Sequence, residues 1–140
     1  MAEARRRDGG VVARRLRPLC WLVLAMPLHG LAAAGETEAR TEGEIGALLD
    51  RVAVSGCRFQ RNGNWYDGVR ASAHLQRKHA YLRRRGVAVD AEGFIEHAAS
   101  RSSVSGQRYR IACPGQPEQD ASQWLRDRLK RLCEDRGTAT

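Results

Sequence analysis

The chain has 140 residues and a mass of 15.6 kDa, which is the size of one domain. Hydrophobic residues make up 42% of it and charged residues 29%, so a packed core is expected and wholesale disorder is excluded. The length also excludes a two-domain enzyme with a separate cofactor domain.

Residues 1–34 have the pattern of a secretory signal peptide. Arginines at positions 5–7, 14, 15 and 17 precede an apolar run from Leu19 to Leu31, which ends in three alanines. A basic region, a short apolar stretch and a small-residue cleavage site together define such a leader. The run is shorter than the about 20 apolar residues that a membrane span needs, and an uncleaved anchor is the alternative. We expect cleavage near Ala34, a periplasmic or secreted location, and no stable membrane span after cleavage.

Export changes the interpretation of the net charge of +8. The leader holds six of the 24 Lys and Arg and two of the 16 Asp and Glu, so the mature chain carries +4, with 18 basic and 14 acidic residues. An exported protein meets little nucleic acid, and the positive charge is therefore a weak argument for binding it. An anionic polymer or a protein of the cell envelope is the expected partner.

Three cysteines remain after the leader: Cys57, Cys113 and Cys133. An oxidising compartment permits a disulfide, and three cysteines allow three single pairings. Cys57 opens one strand-like segment and Cys113 closes another, so antiparallel pairing of the two strands predicts a Cys57–Cys113 bridge, worth about 4 kcal/mol in the chain-entropy model. Cys133 shares a helix face with leucines, where we expect a free cysteine that packs as a small hydrophobe.

The first elements follow a flexible segment predicted at residues 35–43. Thr41 and Glu44 form a capping-box pattern, and the apolar residues at 45, 48, 49 and 52 have helical spacing, with Gly56 as the left-handed residue after the helix. A strand begins at Cys57. The Asn62-Gly63 pair favours a tight hairpin turn, Trp65 and Tyr66 form the return strand, and Asp67-Gly68 ends it.

Three further helices and one strand are predicted in the second half. One helix covers residues 70–85, one starts at Asp90, and Ser122 caps the last. Between them, alternation over residues 109–113 predicts a strand. The fold predicted for residues 44–136 is a single α+β domain, with about four helices packed on a small antiparallel sheet made of a hairpin and one strand.

The chain lacks the motifs of several common chemistries. Nucleotide-binding glycine loops, a CxxC pair, an HExxH zinc motif and a GxSxG nucleophile elbow are all missing. His74 and His79 are five residues apart, about 140° around a helix, so they cannot share a metal from one face. We therefore expect no metal site, no cofactor and no catalytic residue.

Four groups of polar residues are candidate sites. His74, Lys78 and Tyr81 border the apolar stripe of the second helix, where they are either satisfied internally or line a cleft. The serine loop, residues 100–106, either binds an anion or caps its neighbours. Two arginine groups also have two interpretations each. The first group lies along the predicted strands, where it forms either a basic patch or an ordinary solvated surface. The second group lies at the end of a helix, where it either offsets the negative end of the helix dipole or binds an anion. These groups are Arg58, Arg108 and Arg110, and Arg83, Arg84 and Arg85.

Several motifs, in order, resemble one family. These are RNG at 61–63, A-x-x-H-L-x-x-K at 71–78, F-I-E at 94–96, A-A-S at 98–100, and S-S-x-S-G at 102–106 followed by Tyr109. In order and spacing, residues from about 44 to 132 resemble the family of small exported bacterial proteins of unknown function that includes YfeK. The resemblance implies an exported, single-domain protein, and it supplies no activity, ligand or catalytic residue.

Two hypotheses for function follow. The first is a binding or structural module of the envelope for an anionic or protein partner, whose candidate ligand-binding residues are Arg61, Asn62, His74, Lys78, Ser102, Ser103, Ser105 and Tyr109. The alternative is a small hydrolase with His74 as base and a hydroxyl of the serine loop as nucleophile. A hydrolase requires the base and the nucleophile to lie within about 3 Å of each other.

Overall fold

Four helices and four short strands form the part of the chain that the computed structural model describes, residues 30–138. The predicted signal peptide lies outside these residues except for its last positions, 30–34. The helices are α1 (Gly30–Ala53), α2 (Gly68–Arg84), α3 (Ala91–Phe94), which continues as a π turn (Ile95–Ala99), and α4 (Ala121–Gly137). The strands are β1 (Arg58–Arg61), β2 (Asn64–Asp67), β3 (Arg110–Ala112) and β4 (Gln119–Asp120).

The strands form one antiparallel sheet in the order β2-β1-β3-β4. The hairpin turn is confirmed, since Asn62 and Gly63 have φ angles of 50° and 80°, the left-handed region that such turns need. Phe59 lies opposite Tyr66 on one side and Ile111 on the other. β4 was not predicted, because two residues are too few to show an alternating pattern.

The core lies between the sheet and the helices, which confirms the predicted α+β domain. Its fully buried side chains include Leu48 of α1, Phe94 of α3, Ile111 of β3 and Leu125 of α4. α1 packs chiefly on α2, and the contact is closest at Gly68, where an added Cβ would lie 2.3 Å from the carbonyl oxygen of Val52. Only glycine allows the two helices to approach so closely.

The predicted disulfide between Cys57 and Cys113 is confirmed. It joins residues next to the paired strands β1 and β3, and its Cα atoms are 4.2 Å apart. Cys133 is free, but the prediction that it packs in the core is wrong, because it is exposed. Cys133 lies about 80° around α4 from Leu125, outside the stripe that faces the core.

The start of α1 also differs from the prediction. The helix begins at Gly30, so Thr41 lies inside it instead of capping it, and residues 35–43 are helical. Glu44 does not reach back to Thr41 but accepts from Arg40 at 3.1 Å and from Arg136 at 3.0 Å. Residues 31–40 include four alanines and two glutamates and have no proline, so the helix continues through them.

The other helix starts agree in part with the sequence. Asp90 caps α3, with the Gly93 amide donating to its carboxylate at 2.7 Å. Ser122 is not the cap of α4, because Asp120 holds the N-cap position and Ser122 is the second helical residue. None of the helices in residues 30–138 has the length and hydrophobicity required to cross a bilayer.

Candidate functional site

A pocket of about 250 Å³ lies between α2 and the sheet. Its lining comes from β1, β2, α2, the end of the π turn, the residue before β3 and the start of α4. The lining residues are Phe59, Gln60, Arg61, Tyr66, Arg70, Ala71, Ala73, His74, Leu75, Arg77, Ala99, Tyr109, Ala121 and Leu125. Its apolar and polar residues have different roles.

The apolar side chains give the pocket its depth. Phe59 of β1, Leu75 of α2 and Leu125 of α4 are all buried core residues that also line it. Small residues separate them, namely Ala71 and Ala73 on α2, Ala99 at the end of the π turn and Ala121 at the start of α4. Because alanine fills less space than the large side chains around it, the layer between α2 and the sheet is left incompletely filled.

Three arginines line the same pocket: Arg61 at the end of β1, and Arg70 and Arg77 on α2. The pocket lining contains no Asp or Glu, and the ion pairs within residues 30–138 do not include these arginines. α2 carries no acidic residue at all along its 17 residues. The pocket is therefore positively charged and has no carboxylate of its own to neutralise it.

A hydrogen-bonded chain crosses the pocket from Arg61 through His74 to Tyr109. Nη1 of Arg61 lies 2.8 Å from Nδ1 of His74, and Nε2 of His74 lies 3.2 Å from the Tyr109 hydroxyl. Nη1 of Arg61 also lies 3.3 Å from Nε2. Because arginine only donates, we assign the shorter contact to an accepting Nδ1, which puts the proton of the neutral ring on Nε2. His74 then donates to the Tyr109 oxygen, and the Tyr109 proton remains available to a ligand.

Charge and burial keep His74 neutral. Its pKa is lowered from 6.5 to about 4, first by burial and then by the positive charges of Arg61, Lys78 and Arg77. Burial also raises the pKa of Tyr109, which stays a phenol at neutral pH. His74 therefore orients Arg61 without adding a charge to the pocket.

Lys78 lies next to this chain but outside the pocket lining. Its Nζ donates to the carbonyl oxygen of Arg101 at 3.0 Å and lies 5.2 Å from the centre of the Tyr109 ring. Burial, and then the charge of Arg61, lower its pKa. Lys78 joins α2 to the serine loop and contributes positive potential at the pocket edge.

The remaining candidate residues form a separate polar group. Ser105 donates to the side-chain oxygen of Asn62 at 2.6 Å, which links the serine loop to the hairpin turn. Ser102 is buried, and its Oγ accepts from the backbone amides of residues 104 and 105. Ser103 is exposed. Asn62 and the three serines do not line the pocket, and the contacts of two of the serines are those of a loop that holds its own shape.

Sequence reasoning missed Arg70, Arg77 and the apolar floor. A signal for the two arginines was present, because Arg70, His74 and Arg77 follow i, i+4, i+7 spacing and so share one face of α2. The floor gave no such signal, since its alanines come from three elements distant in the chain. The π turn gave none either. It is a rare conformation often found near functional sites, and it places Ala99 in the pocket wall while Ser100 donates back to the Ile95 carbonyl at 2.9 Å.

The arginines of the two ambiguous groups are mostly engaged by neighbours. Arg108 and Arg110 both pair with Asp120, at 3.1 and 3.3 Å, and Arg110 also pairs with Glu118 at 2.6 Å. Arg58 lies over the Trp65 ring, so the three do not form an open basic patch. At the end of α2, Arg83 pairs with Glu42 at 3.3 Å and Arg85 lies over the Tyr81 ring.

Within residues 30–138, no three His, Cys, Asp or Glu side chains come together in a way that could hold a metal ion.

Comparison with known proteins identifies the family of this chain but no activity. Neither a curated protein nor a solved structure matches the chain. A family model matches residues 39–133, which include every residue that lines the pocket. The chain thus belongs to DUF5329, a family of unknown function.

Proposed function

We propose that this protein is a binding module for a small organic anion with an apolar part, which occupies the pocket between α2 and the sheet. One observation carries the proposal. The pocket has an apolar floor and three arginines, and none of these arginines has a carboxylate partner among the described residues. Ligand pockets commonly combine an apolar lining with a few well-placed polar groups.

The floor accounts for the apolar part of the ligand. Phe59, Leu75 and Leu125 present hydrocarbon surface to a space of about 250 Å³, which is below the usual range for drug-sized ligands. A short acyl chain or a single aromatic ring is a suitable occupant. A longer chain would extend past the rim into solvent.

The polar groups account for the anionic part. Arg61 uses one nitrogen to contact His74, and since a guanidinium has five N–H donors, others remain for a carboxylate or similar group. The Tyr109 hydroxyl supplies a second donor that His74 fixes in place. Arg70 and Arg77 add positive charge on the α2 side, and charge-assisted hydrogen bonds are stronger than neutral ones.

The hydrolase alternative has less support. A general base works best with a pKa near the operating pH, whereas the pKa of His74 is about 4. The hydrogen bonds of His74 among the described residues go to Arg61 and Tyr109. The hydroxyls of Ser100 and Ser105 donate elsewhere, so the geometry offers no paired base and nucleophile.

Export from the cytosol is part of the same proposal. It is supported by the leader-like pattern of residues 1–34 and by the Cys57–Cys113 disulfide, a bond that persists in oxidising compartments. A thiol-alkylating reagent applied without reductant should label Cys133 and leave Cys57 and Cys113 unlabelled. An uncut chain in the cytosol with all four of its thiols labelled, that of Cys20 included, would contradict export.

Calorimetric titration of the protein with octanoate and with 1-octanol tests the binding proposal. The two probes have the same chain length and differ in charge. We expect octanoate to bind at least about tenfold more tightly, because a hydrogen bond to a charged group contributes about 1.5–3 kcal/mol. Equal affinity for the two would contradict an anion site.

Three variants assign the binding to this pocket. Arg61→Gln should lower octanoate affinity about tenfold, since it removes a charged donor, whereas Arg84→Gln, which removes the same charge outside the pocket on α2, should change it less than about twofold. Ala71→Leu changes no charge and should abolish binding by filling the floor. Equal losses in Arg61→Gln and Arg84→Gln would show that only overall charge matters.

A further inference from the structure

A second concavity lies beside the disulfide and shares no lining residue with the pocket. Its volume is about 430 Å³, and its walls come from the end of α1, the Cys57–Cys113 bridge and α4. Arg51 and Arg128 line it, and both also line an adjoining cleft that contains Arg131. We call the space around these three arginines the arginine groove.

The three arginines of the groove form no ion pair with a carboxylate among the described residues. The ion pairs of residues 30–138 leave out Arg51, Arg128 and Arg131. Other arginines of α4 are paired, since Arg126 contacts Glu92 and Glu96, and Arg136 contacts Glu44. Lack of a partner is therefore specific to the groove and not a general property of this helix.

The unpaired arginines also disfavour one another. The pKa of Arg128 is lowered by burial and by the charges of Arg131 and Arg51, while Asp127 acts in the opposite direction. Bringing like charges together costs free energy unless an anion offsets it. An anion bound in the groove would remove this repulsion.

Arg128 is held in place before any ligand binds. Its guanidinium lies 4.6 Å from the centre of the Trp124 ring, and Trp124 is only 3% exposed. A cation–π contact of this kind restrains the guanidinium, so less side-chain entropy remains to be lost on binding. Arg51 lies in the last turn of α1, where the helix dipole favours a positive side chain.

We propose that the arginine groove binds a phosphate group, either as the free ion or as the phosphomonoester headgroup of a lipid, between Arg51 and Arg128. A carboxylate would neutralise one of the two guanidinium charges, whereas phosphate carries about −1.5 to −2 at pH 7 and fits the planar donors of arginine in pairs. Glu134 and Asp135 flank the Arg131 end. The concavity beside the disulfide has no acidic residue in its lining, so the anion lies there.

NMR titration of the full chain with sodium phosphate, at an ionic strength held constant with NaCl, tests the proposal. The Nε–H signals of Arg51 and Arg128 and the indole N–H signal of Trp124 should shift and saturate together. Arg51→Gln and Arg128→Gln should each weaken binding about tenfold, whereas Arg84→Gln should leave it within about twofold. Arg51→Lys keeps the charge, and partial retention of binding in this variant shows that loss in Arg51→Gln is not a folding defect.

Shifts that do not saturate, or that fall equally on Arg84, would overturn the proposal. Cosedimentation with vesicles distinguishes the two sources of phosphate. Binding to vesicles that contain phosphatidic acid but not to pure phosphatidylcholine, lost in Arg51→Gln, assigns a phosphomonoester headgroup, whereas saturable phosphate binding without cosedimentation assigns the free ion. Octanoate affinity should not change in Arg51→Gln, so this test is independent of the pocket proposed above.

Discussion

Arginines in two regions of this protein have contrasting surroundings. At the β3–β4 edge and between α3 and α4, Arg110 and Arg126 each contact two carboxylates. Around the pocket, Arg61, Arg70 and Arg77 contact none among the described residues. Both regions belong to the same small domain, so the contrast comes from the residues that surround each arginine.

The difference separates arginines that connect elements from arginines that are available to a ligand. Arg126 ties α4 to α3 and the π turn through Glu92 and Glu96, so its role is met within the chain. The pocket arginines have no such role within the chain, and two of them, Arg61 and Arg77, help to lower the pKa of His74. A site of this kind is stabilised when an anion occupies it.

The largest expected effect contrasts the packed core with the pocket floor. Leu48→Ala should lower the free energy of unfolding by about 3–4 kcal/mol, because Leu48 is fully buried and its loss leaves a closed cavity. Leu75→Ala should cost about 2 kcal/mol, since Leu75 already borders an open space that solvent can enter. Urea unfolding of both variants measures the two losses. Equal losses would mean that the pocket is closed in solution.

The next effect is the pH dependence that His74 creates. Above pH 6.5, His74 is neutral in both the folded and the unfolded state, so its contribution to stability is fully present there. As the pH falls from 6.5 towards about 4, the unfolded chain takes up a proton that the folded protein does not, and stability is lost.

Comparison with His74→Gln isolates this contribution. Glutamine can accept from Arg61 and donate to Tyr109, as neutral histidine does, but it does not titrate. Between pH 6.5 and 4 the variant should lose less stability than the parent protein in urea unfolding. Identical slopes would contradict the lowered pKa.

The smallest expected effect compares one arginine from each region. Arg126→Gln should lower the free energy of unfolding by up to about 1 kcal/mol, the usual range for exposed ion pairs, and leave octanoate affinity unchanged. Arg77→Gln should leave stability the same or slightly higher and weaken octanoate binding. Thermal unfolding and calorimetry together test the pair. A larger stability loss in Arg77→Gln than in Arg126→Gln would contradict the division between the two regions.

Local patterns were enough to predict most of the fold. The Asn62-Gly63 turn, the Asp90 cap and the stripe on α1 each depend on neighbouring residues, and the structure confirms all three. The Cys57–Cys113 disulfide was predictable because the alternation of apolar and polar residues located both strands that it joins. The prediction that α1 begins at Thr41 was wrong. A capping-box pattern does not set the start of a helix when the residues before it also favour a helix.

The candidate site was predictable only in part, because the residues that form the pocket come from elements far apart in the chain. Arg61, His74 and Tyr109 were all named from the sequence, and they form one hydrogen-bonded chain. The pocket itself depends on Ala71, Ala99 and Ala121 facing the same space. Small residues on three separate elements show no spacing that could reveal a common cavity.

The Cys57–Cys113 bridge has one more consequence. It closes a covalent ring that contains β1, β2, α2, α3, the π turn and the serine loop, and every pocket-lining residue except Ala121 and Leu125. A protease that cuts the exposed tip of the serine loop at Val104 would open this ring without separating the two fragments. The nicked protein would be heavier by one water but would stay one covalently linked molecule until a reductant is added. Its two pieces would remain side by side, with their pocket residues still tethered.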